Sequence, residues 1–310
     1  MMPERRLPYV SVIVLNYNGK QLLDGCLGSL SKTNYPHGRF EVVMVDNGST
    51  DGSAKHVREN HPGVKIVSVY PNKGVVGGNN IGVRAVLKRK NIDYVVLLNN
   101  DVIVDKDWLM EMVKVAESDE SIGVCGPTVM NTDRTIQSLG GSVDFLGAPH
   151  LLKFRRNKRF AETFFISSCC ILIKRSAIDG LDYFLDSRYF AYYDEIDLCW
   201  RIKLNGYKVV CVYPAKIIHK GSATTKRSGL YIMPHYRNKI LTFRKNLRSP
   251  LREAFTIPMF FSTLMMALYW SARGLWSGGA DILKYFFVAN KTNKTLDKVS
   301  LKKQLAVFRV

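Results

Sequence analysis

Two groups of carboxylate and amide side chains occur at positions in the sequence where a ligand-binding or catalytic site is expected. Three polar residues, Asn99, Asn100 and Asp101, arrive together after five apolar residues that are typical of a strand buried on both faces of a parallel sheet. Ligands of open α/β sheets bind beyond the carboxyl ends of the strands, so Asp101 is a candidate functional residue. A turn or cap after the strand explains the same residues, and this motif alone leaves both interpretations open.

The second group is Asp194, Glu195 and Asp197, which follows a run of aromatic residues. Apolar residues then recur at helical spacing, and Asn205-Gly206 is a typical C-terminal stop, so the three acids occupy the first turn of a predicted helix. The helix dipole favours acidic side chains there, and capping explains one or two of them. Capping explains three acidic residues in one turn less well.

The elements that must position these residues alternate between strand and helix over residues 9–101. Strands are predicted at 11–15, 40–45, 64–70 and 94–98, which indicates βαβ units and a parallel sheet. Each strand ends in polar or glycine-rich residues, so one sheet edge collects Asn16, Asp46, Asn72 and Asp101. That edge has the composition of a nucleotide site. The glycine-rich run at 74–78 matches neither a dinucleotide-binding motif nor a P-loop.

The rest of this domain is less regular. The pattern predicts a helix at 107–116 and strands at 122–127, 164–173, 208–212 and 216–219, the last ending in His219. Residues 131–160 are polar and weakly periodic, and we interpret them as a flap over the site. Five basic residues of this segment either contact phosphates or are simply solvated: Lys153, Arg155, Arg156, Lys158 and Arg159.

Composition narrows the class of protein. With 310 residues, 46% of them apolar, the chain can bury a substantial core. Residues 214–310 hold 18 of the 45 basic but only 3 of the 26 acidic residues, so +15 of the net charge of +19 lies there, which predicts a polyanionic partner. The six cysteines form no C-x-x-C pair, which predicts reduced, buried thiols without a disulfide or zinc site. The apolar run at 9–15 is too short for a signal peptide, so we expect this domain to stay in the cytosol.

The C-terminal quarter contains 19 residues, 254–272, without a charge. As a helix they would measure about 28 Å, barely enough to cross a bilayer. Basic residues flank both ends, which favours a helix lying in the cytoplasmic interface of an anionic membrane over one that spans it. A core helix of a soluble appendage is the alternative.

Taken together, the motifs resemble glycosyltransferase family 2, whose members have the GT-A fold and use nucleotide sugars. The resemblance covers about residues 9–225, and no single motif is diagnostic, but six occur in order. The motifs are Val12-Ile-Val-Leu-Asn-Tyr-Asn18, Val45-Asp-Asn-Gly-Ser-Thr-Asp51, Asn72-Lys-Gly74 with Gly78-Asn79, Leu97-Leu-Asn-Asn-Asp101, Asp194-Glu-Ile-Asp-Leu-Cys-Trp-Arg201 and His219-Lys-Gly-Ser222. The implied fold is α/β, with a mostly parallel GT-A-type central sheet flanked by helices at 1–225 and a helical, basic and apolar appendage at 226–310.

The resemblance also implies roles for residues. Asp101 would end the family's D-x-D motif and hold Mg²⁺ or Mn²⁺ on the donor diphosphate, with His219 completing the metal site. Glu195 would be the base that takes the proton from the acceptor hydroxyl during inversion, with Asp194 and Asp197 as alternatives. The implied nucleotide-sugar-binding residues are Asn16, Asn18, Asp46, Asn47, Asp51, Asn72, Gly74, Gly78, Asn79, Asn99 and Asn100.

Two positions depart from the family pattern. Asn99 stands where many relatives have the first aspartate, so we expect weaker metal binding than at a site with two carboxylates. Asp194-Glu195 stands where relatives often have Glu-Asp, which leaves the choice of base open.

The predicted function is transfer of a sugar from a nucleoside-diphosphate sugar to a hydroxyl of a glycan, lipid-linked in our interpretation, at the cytoplasmic face of a membrane. Many relatives of this kind are rhamnosyltransferases of surface polysaccharides. Transfer to a polyprenyl phosphate is the alternative enzyme activity. A basic nucleic-acid-binding protein is a further alternative, which only the positive charge suggests. We do not expect a nucleic-acid partner, because the sequence contains no recognisable binding motif.

Overall fold

The computed structural model describes residues 7–36, 38–154, 157–221, 232–271 and 300–308. Several residues that the sequence analysis singled out lie outside the described ranges. They are Arg155 and Arg156 of the basic group, Ser222 of the last motif, Ala272 at the end of the uncharged stretch, and 226–231, 273–299 and 309–310 of the predicted appendage.

The N-terminal half is a parallel sheet with helical crossovers. Its strands are β1 (Val10–Asn16), β2 (Phe40–Asp46), β3 (Lys65–Ser68) and β4 (Tyr94–Asn99), and its helices are α1 (Lys20–Leu30), α2 (Ser53–Asn60) and α3 (Gly74–Leu87). The spatial order is β4-β1-β2-β3, and all three pairings are parallel. The register sets Asn16 opposite Asp46 and Leu15 opposite Asn99, so the polar residues after these strands meet at one edge.

The following part extends the sheet with strands of both directions. Its elements are β5 (Val102–Val104), α4 (Trp108–Ala116), β6 (Ile122–Met130), β7 (Ile136–Ser138), β8 (Gly141–Val143), β9 (Pro149–Leu151), β10 (Phe160–Glu162), β11 (Cys170–Lys174), α5 (Arg175–Asp179), α6 (Asp194–Leu204) and β12 (Lys208–His219). β11 lies antiparallel between β4 and β6, while β6 and β12 are parallel. The end of β12 pairs with β5, so His219 faces Val102 and comes beside Asp101.

The predicted α/β class with a central sheet flanked by helices is confirmed. The sheet is parallel in its N-terminal half and mixed beyond β4. The strand predicted at 164–173 begins only at Cys170, because Phe165 instead forms an isolated bridge with Gly141. The two strands predicted at 208–212 and 216–219 are one, β12, whose register shift between Val212 and Lys216 accommodates Pro214.

Residues 131–160, predicted as a loop, contain three three-residue strands before β10. β7 pairs with β6, and β8 pairs with β9 in a separate two-stranded sheet. Strands this short carry no readable alternation of apolar and polar residues, which is why the sequence pattern missed them.

The core lies on both faces of the sheet. Val10, Val12 and Val14 pack against α1 and α4 on one side, while Ile13 faces α3 and the region of α6 on the other. Trp108 on α4 and Trp200 on α6 are fully buried in these two layers. Burying an apolar side chain of this kind is worth roughly 1.5–3 kcal/mol, so both layers hold the strand ends in place.

The described C-terminal helices are α7 (Ile232–Asn246), α8 (Leu251–Ser271) and α9 (Leu301–Ala306). α7 packs between α6 and α8. The uncharged stretch lies in α8, which contains Pro258. No helix in the described part of the chain combines the length and the apolar character needed to cross a membrane. The predicted division at residue 225 stays a prediction.

Candidate active site

The strand-edge group begins with a chain of amide and hydroxyl contacts around Asn16. Asn100 donates through Nδ2 to Asn16 Oδ1 at 2.7 Å, and Asn16 donates in turn to Ser49 Oγ at 3.2 Å. The same Ser49 oxygen accepts the backbone N–H of Asn18, whose side-chain Oδ1 accepts the N–H of Thr50 at 2.8 Å. Five residues from three segments that are distant in sequence are thereby fixed relative to one another.

Asn47 organises the adjoining loop. It is buried, donates to Asn72 Oδ1 and to the carbonyl of Gly74, both at 3.0 Å, and accepts the N–H of Lys73. Gly74 has φ +70°, and a Cβ there would lie 2.6 Å from the ring of Phe190, so only glycine fits. The loop before α3 is therefore shaped by side-chain amides instead of by regular secondary structure.

The remaining predicted donor residues lie along the same edge. Asp46 is buried, and its Oδ1 accepts the N–H of Ser49. Asp51 accepts the N–H of Lys20 and both donors of Ser53; burial opposes ionisation of Asp51, but these hydrogen bonds outweigh it and lower its pKa. Gly78 lies against Leu15, where a Cβ would come within 2.5 Å of a methyl group. Asn79, next in α3, is buried.

The predicted metal ligands approach each other at the end of β12. His219 Nε2 lies 3.4 Å from Asp101 Oδ1, an oxygen that is buried and has no hydrogen-bond partner among the described residues. The other ring nitrogen of His219, Nδ1, lies 3.0 Å from Gln137 Oε1. Because the amide oxygen accepts only, Nδ1 carries a proton. In the neutral form of the ring, the Nε2 lone pair would then face the carboxylate, and a cation would fit between the two. Asn99 and Asn100 precede Asp101 directly.

The acidic group opens α6 as predicted. Asp194 and Glu195 are adjacent, and burial raises the pKa of both carboxyls. The charge of Asp194 further raises the pKa of Glu195, so the pair retains a proton at a pH where an exposed carboxyl would have lost it. Glu195 Oε2 is buried, and no hydrogen-bond partner for it exists within the described ranges. An unsatisfied carboxyl oxygen with a raised pKa is typical of a group poised to accept a proton.

Asp197 occupies a different environment although it lies on the same turn. It is fully buried, with Arg201 Nε 2.9 Å from Oδ2, Lys245 Nζ 2.9 Å from Oδ1, and Asn246 donating to Oδ1 at 2.7 Å. Burial would raise the pKa of Asp197, but the charges of Arg201 and Lys245 outweigh it and lower the pKa. Both oxygens of this carboxylate are engaged by the protein.

The two groups are joined through residues 183–190. The carbonyl of Phe190 accepts the N–H of Val75 at the start of α3, and the side-chain amide of Asn80 exchanges two hydrogen bonds with the backbone of Leu185. A cavity of about 710 Å³ lies behind this junction. Its lining residues come from α3, residues 183–188 and α7, and they include neither Asp101 nor Glu195.

Sequence reasoning missed several residues that support the site. Ser49 lies within the motif at residues 45–51, and its position in a run of turn-forming residues was a signal that could have identified it. Gln137 has no readable signal, because its contact with His219 spans 82 positions. Asn238, Lys245 and Asn246 are polar residues at helical spacing on α7, a pattern that is easily mistaken for a solvated face.

Two other groups of reactive side chains lie in the described part. His56 and His61 both place Nε2 within 2.9 Å of Asp24 Oδ1, and this contact joins α2 to α1. All six cysteines are buried, as predicted, and none of them is paired in a disulfide. Burial raises the pKa of Cys26 to about 12, which makes its thiol unreactive at neutral pH.

Comparison with known proteins identifies the family of the chain. The model of the family described as "Glycosyl transferase family 2" matches residues 11–181, more than half of the chain. The chain is 28% identical over 248 residues to "O-antigen biosynthesis protein RfbC" of Myxococcus xanthus, an alignment that covers 74% of this chain but only 18% of RfbC. It is 25% identical over 271 residues to an "N-acetylglucosaminyl-diphospho-decaprenol L-rhamnosyltransferase" of Mycobacterium tuberculosis, covering 78% of this chain and 87% of that protein.

Among solved structures, "Crystal structure of GalNAc-T7 with UDP, GalNAc and Mn2+" superposes with a TM-score of 0.65 at 17% identity, covering 95% of this chain and 57% of the other. That similarity shows a shared GT-A fold. The protein is a glycosyltransferase, and it belongs to glycosyltransferase family 2.

Proposed function

We propose that the protein is an inverting, metal-dependent glycosyltransferase that moves a sugar from a nucleoside-diphosphate sugar to a hydroxyl of a lipid-linked glycan. The observation that carries this proposal is the Asp194–Glu195 pair. A buried carboxyl oxygen without a partner, on a group whose pKa is raised, is what a general base needs before a substrate hydroxyl arrives.

The reaction assigns one task to each group. Glu195 accepts the proton of the acceptor hydroxyl as its oxygen forms a bond to the anomeric carbon. The bond from that carbon to the diphosphate oxygen breaks on the opposite face, and its electron pair leaves with the nucleoside diphosphate. A single base suffices for this displacement, whereas retention by double displacement would need a second nucleophilic step.

The strand-edge residues bind the donor in this scheme. The amides of Asn16, Asn47, Asn72 and Asn100 lie at the carboxyl ends of parallel strands, where nucleotides bind in α/β folds. Asp101 and His219 would hold a divalent ion, Mg²⁺ or Mn²⁺, which neutralises the charge that develops on the leaving diphosphate. The unpartnered oxygen of Asp101 supports this assignment.

Two observations support the proposal of a lipid-linked acceptor: the name of one relative and the exposed apolar face of one helix. The relative from Mycobacterium tuberculosis is named for a glycan carried on a diphospho-decaprenol. α8 also exposes apolar residues one turn apart along one side. These five side chains are between 45% and 66% exposed: Ile257, Phe261, Met265, Leu268 and Tyr269. We propose that this face lies in the cytoplasmic interface of an anionic membrane, with the exposed Arg248 and Lys302 near the headgroups.

The function is tested with a panel of UDP-, dTDP- and GDP-sugars with Mn²⁺ or Mg²⁺ and a lipid-linked glycan acceptor. For the donor that is used, Glu195→Gln should lower turnover at least about 1,000-fold while binding of the nucleoside diphosphate stays unchanged. Little loss of turnover would instead indicate an acceptor that is already ionised, such as a polyprenyl phosphate. Turnover with none of the donors would overturn the proposal.

The membrane surface is tested by cosedimentation with vesicles. Phe261→Ser with Met265→Ser should reduce binding to anionic vesicles about 10-fold or more, because each replacement removes an apolar side chain from the bilayer interface. Tyr70→Ser, an exposed aromatic residue near the sheet edge, serves as the matched control and should bind like the unmodified protein. Equal binding of all three proteins would contradict this part of the proposal.

A further inference from the structure

The backbone immediately before the acidic pair has an unusual conformation. Tyr192 and Tyr193 have φ values of 69° and 66°, so two consecutive residues with full side chains are left-handed. Each such residue costs about 1–3 kcal/mol and persists only when its surroundings impose it. Tyr193 is the N-cap of α6, and Asp194 and Glu195 follow it directly. The direction in which the pair points therefore depends on this turn.

One side chain of α7 holds the turn. Asn238 is fully buried and donates through Nδ2 to the carbonyl of Ala191 at 2.8 Å and to the carbonyl of Tyr192 at 2.9 Å. Its neighbour Arg237 donates to the carbonyl of Arg188 at 2.9 Å. Three carbonyls of one short loop thus accept hydrogen bonds from two adjacent residues of a helix more than forty positions later.

The opposite side of the turn is also fixed. The hydroxyl of Tyr193 donates to the carbonyl of Gly147 at 2.8 Å, in the loop between β8 and β9. That loop in turn packs against α7, because the space beside Gly147 is filled by Lys239 and Phe243. The left-handed pair is therefore enclosed between α7 and the 144–148 loop.

The same face of α7 contacts the segment around the turn at three further positions. Thr242 donates to the carbonyl of Asn238, so its Oγ accepts the hydroxyl of Tyr189 at 2.7 Å. Lys245 and Asn246 contact Asp197. Within this set, Asn238 alone bonds the carbonyls of Ala191 and Tyr192, which directly precede the two left-handed residues, and Thr242 offers a comparison one turn away.

We propose that Asn238 is a positioning residue that imposes the left-handed turn at 192–193 and thereby aims the Glu195 carboxyl at the acceptor. This inference rests on the proposed role of Glu195 as the base. It assigns to α7, outside the segment that matches the family model, a part in the reaction beyond packing.

The test compares Asn238→Ala and Asn238→Ser with the matched control Thr242→Val. Hydrogen exchange of the amides at 191–197 should be accelerated at least about 10-fold in Asn238→Ala and less in Asn238→Ser, which keeps one donor. Thr242→Val removes two buried hydrogen bonds of the same helix face, with the Asn238 carbonyl and the Tyr189 hydroxyl, but none to residues 191–193, so it should leave exchange at those amides unchanged.

Kinetics with the donor found above supply the second measurement. Asn238→Ala should lower kcat about 100-fold with KM for the donor within about two-fold, because a displacement near 1 Å at the reacting group costs about that much. Thr242→Val should keep kcat within about three-fold.

The outcomes separate this inference from the proposed function. Unchanged exchange at 191–197 in Asn238→Ala overturns the inference, whatever the enzyme transfers. Accelerated exchange with kcat unchanged overturns it as well. If Glu195→Gln retained full turnover, the assignment of the base would fall, and with it the aiming of Glu195 by Asn238. Accelerated exchange at 191–197 in Asn238→Ala would still show that Asn238 holds the turn.

Discussion

The donor half and the base half of the candidate site are built in contrasting ways. At the strand edge, neutral amides and hydroxyls bond one another and nearby backbone, as Asn18 does with Thr50 and Asn47 with Lys73. At the start of α6, the fully buried carboxylate of Asp197 is held by Lys245 and Asn246 from α7.

The contrast follows from what positions each half. Parallel pairing places the ends of β1, β2 and β4 side by side, so their polar residues meet because of the register itself. The acids of α6 have no such frame. Their positions depend on ion pairs and on a strained turn that α7 supports. We therefore expect substitutions in the base half to affect folding and chemistry together, and those in the donor half to affect binding alone.

The largest expected effect on stability is at Asp197. Asp197→Asn leaves Lys245 and Arg201 buried with one counter-charge fewer, which should cost about 3–5 kcal/mol in the free energy of unfolding. Denaturant unfolding followed by circular dichroism measures the loss.

Asp119→Asn is the control for that substitution. Asp119 pairs with Lys208 on the surface, where both side chains are largely hydrated, so the change in unfolding should be far smaller. A similar loss in the two variants would remove the distinction between the buried network and an ordinary surface pair.

Asp101→Ala tests the donor half. Binding of a nucleoside diphosphate in the presence of Mn²⁺ should weaken at least about 100-fold, or about 2.7 kcal/mol, because the carboxylate proposed to hold the ion is removed. Calorimetric titration with UDP, dTDP and GDP measures this loss. Glu195→Gln should bind the same nucleotides unchanged, and a loss there would show that the halves are not separable.

How much could be predicted from the sequence also differs between the halves. The strand ends with Asn16, Asp46 and Asn99 could be predicted, because buried apolar runs followed by polar residues mark the sheet edge directly. The contacts of Asn238 and Gln137 could not, since each depends on tertiary packing across more than 40 positions. β7, β8 and β9 were missed for a related reason, as three-residue strands carry too little periodicity.

Gln137 offers a smaller test of the metal site. Gln137→Leu removes the acceptor that keeps the proton on Nδ1 of His219, so affinity for Mn²⁺ should fall about 10-fold. Gln137→Glu restores an acceptor and should retain or improve the affinity. Electron paramagnetic resonance of free Mn²⁺ measures the affinity of each variant. If the leucine variant bound Mn²⁺ as tightly as the unmodified protein, orientation of His219 by Gln137 would be excluded.

The smallest expected effect concerns the pH dependence of turnover. Glu195 must lose its proton to act as a base, so the rate should rise with pH through the raised pKa of that carboxyl. Asp194→Asn removes a negative charge beside Glu195, which lowers the pKa of Glu195 and moves the acid limb of the profile to lower pH. The shift should be partial, because burial is the larger cause of the raised pKa and remains in the variant. Asp51→Asn, in the donor half, should leave the acid limb in place. An acid limb that moved to higher pH in Asp194→Asn would contradict this prediction, because loss of a neighbouring negative charge can only favour ionisation of Glu195.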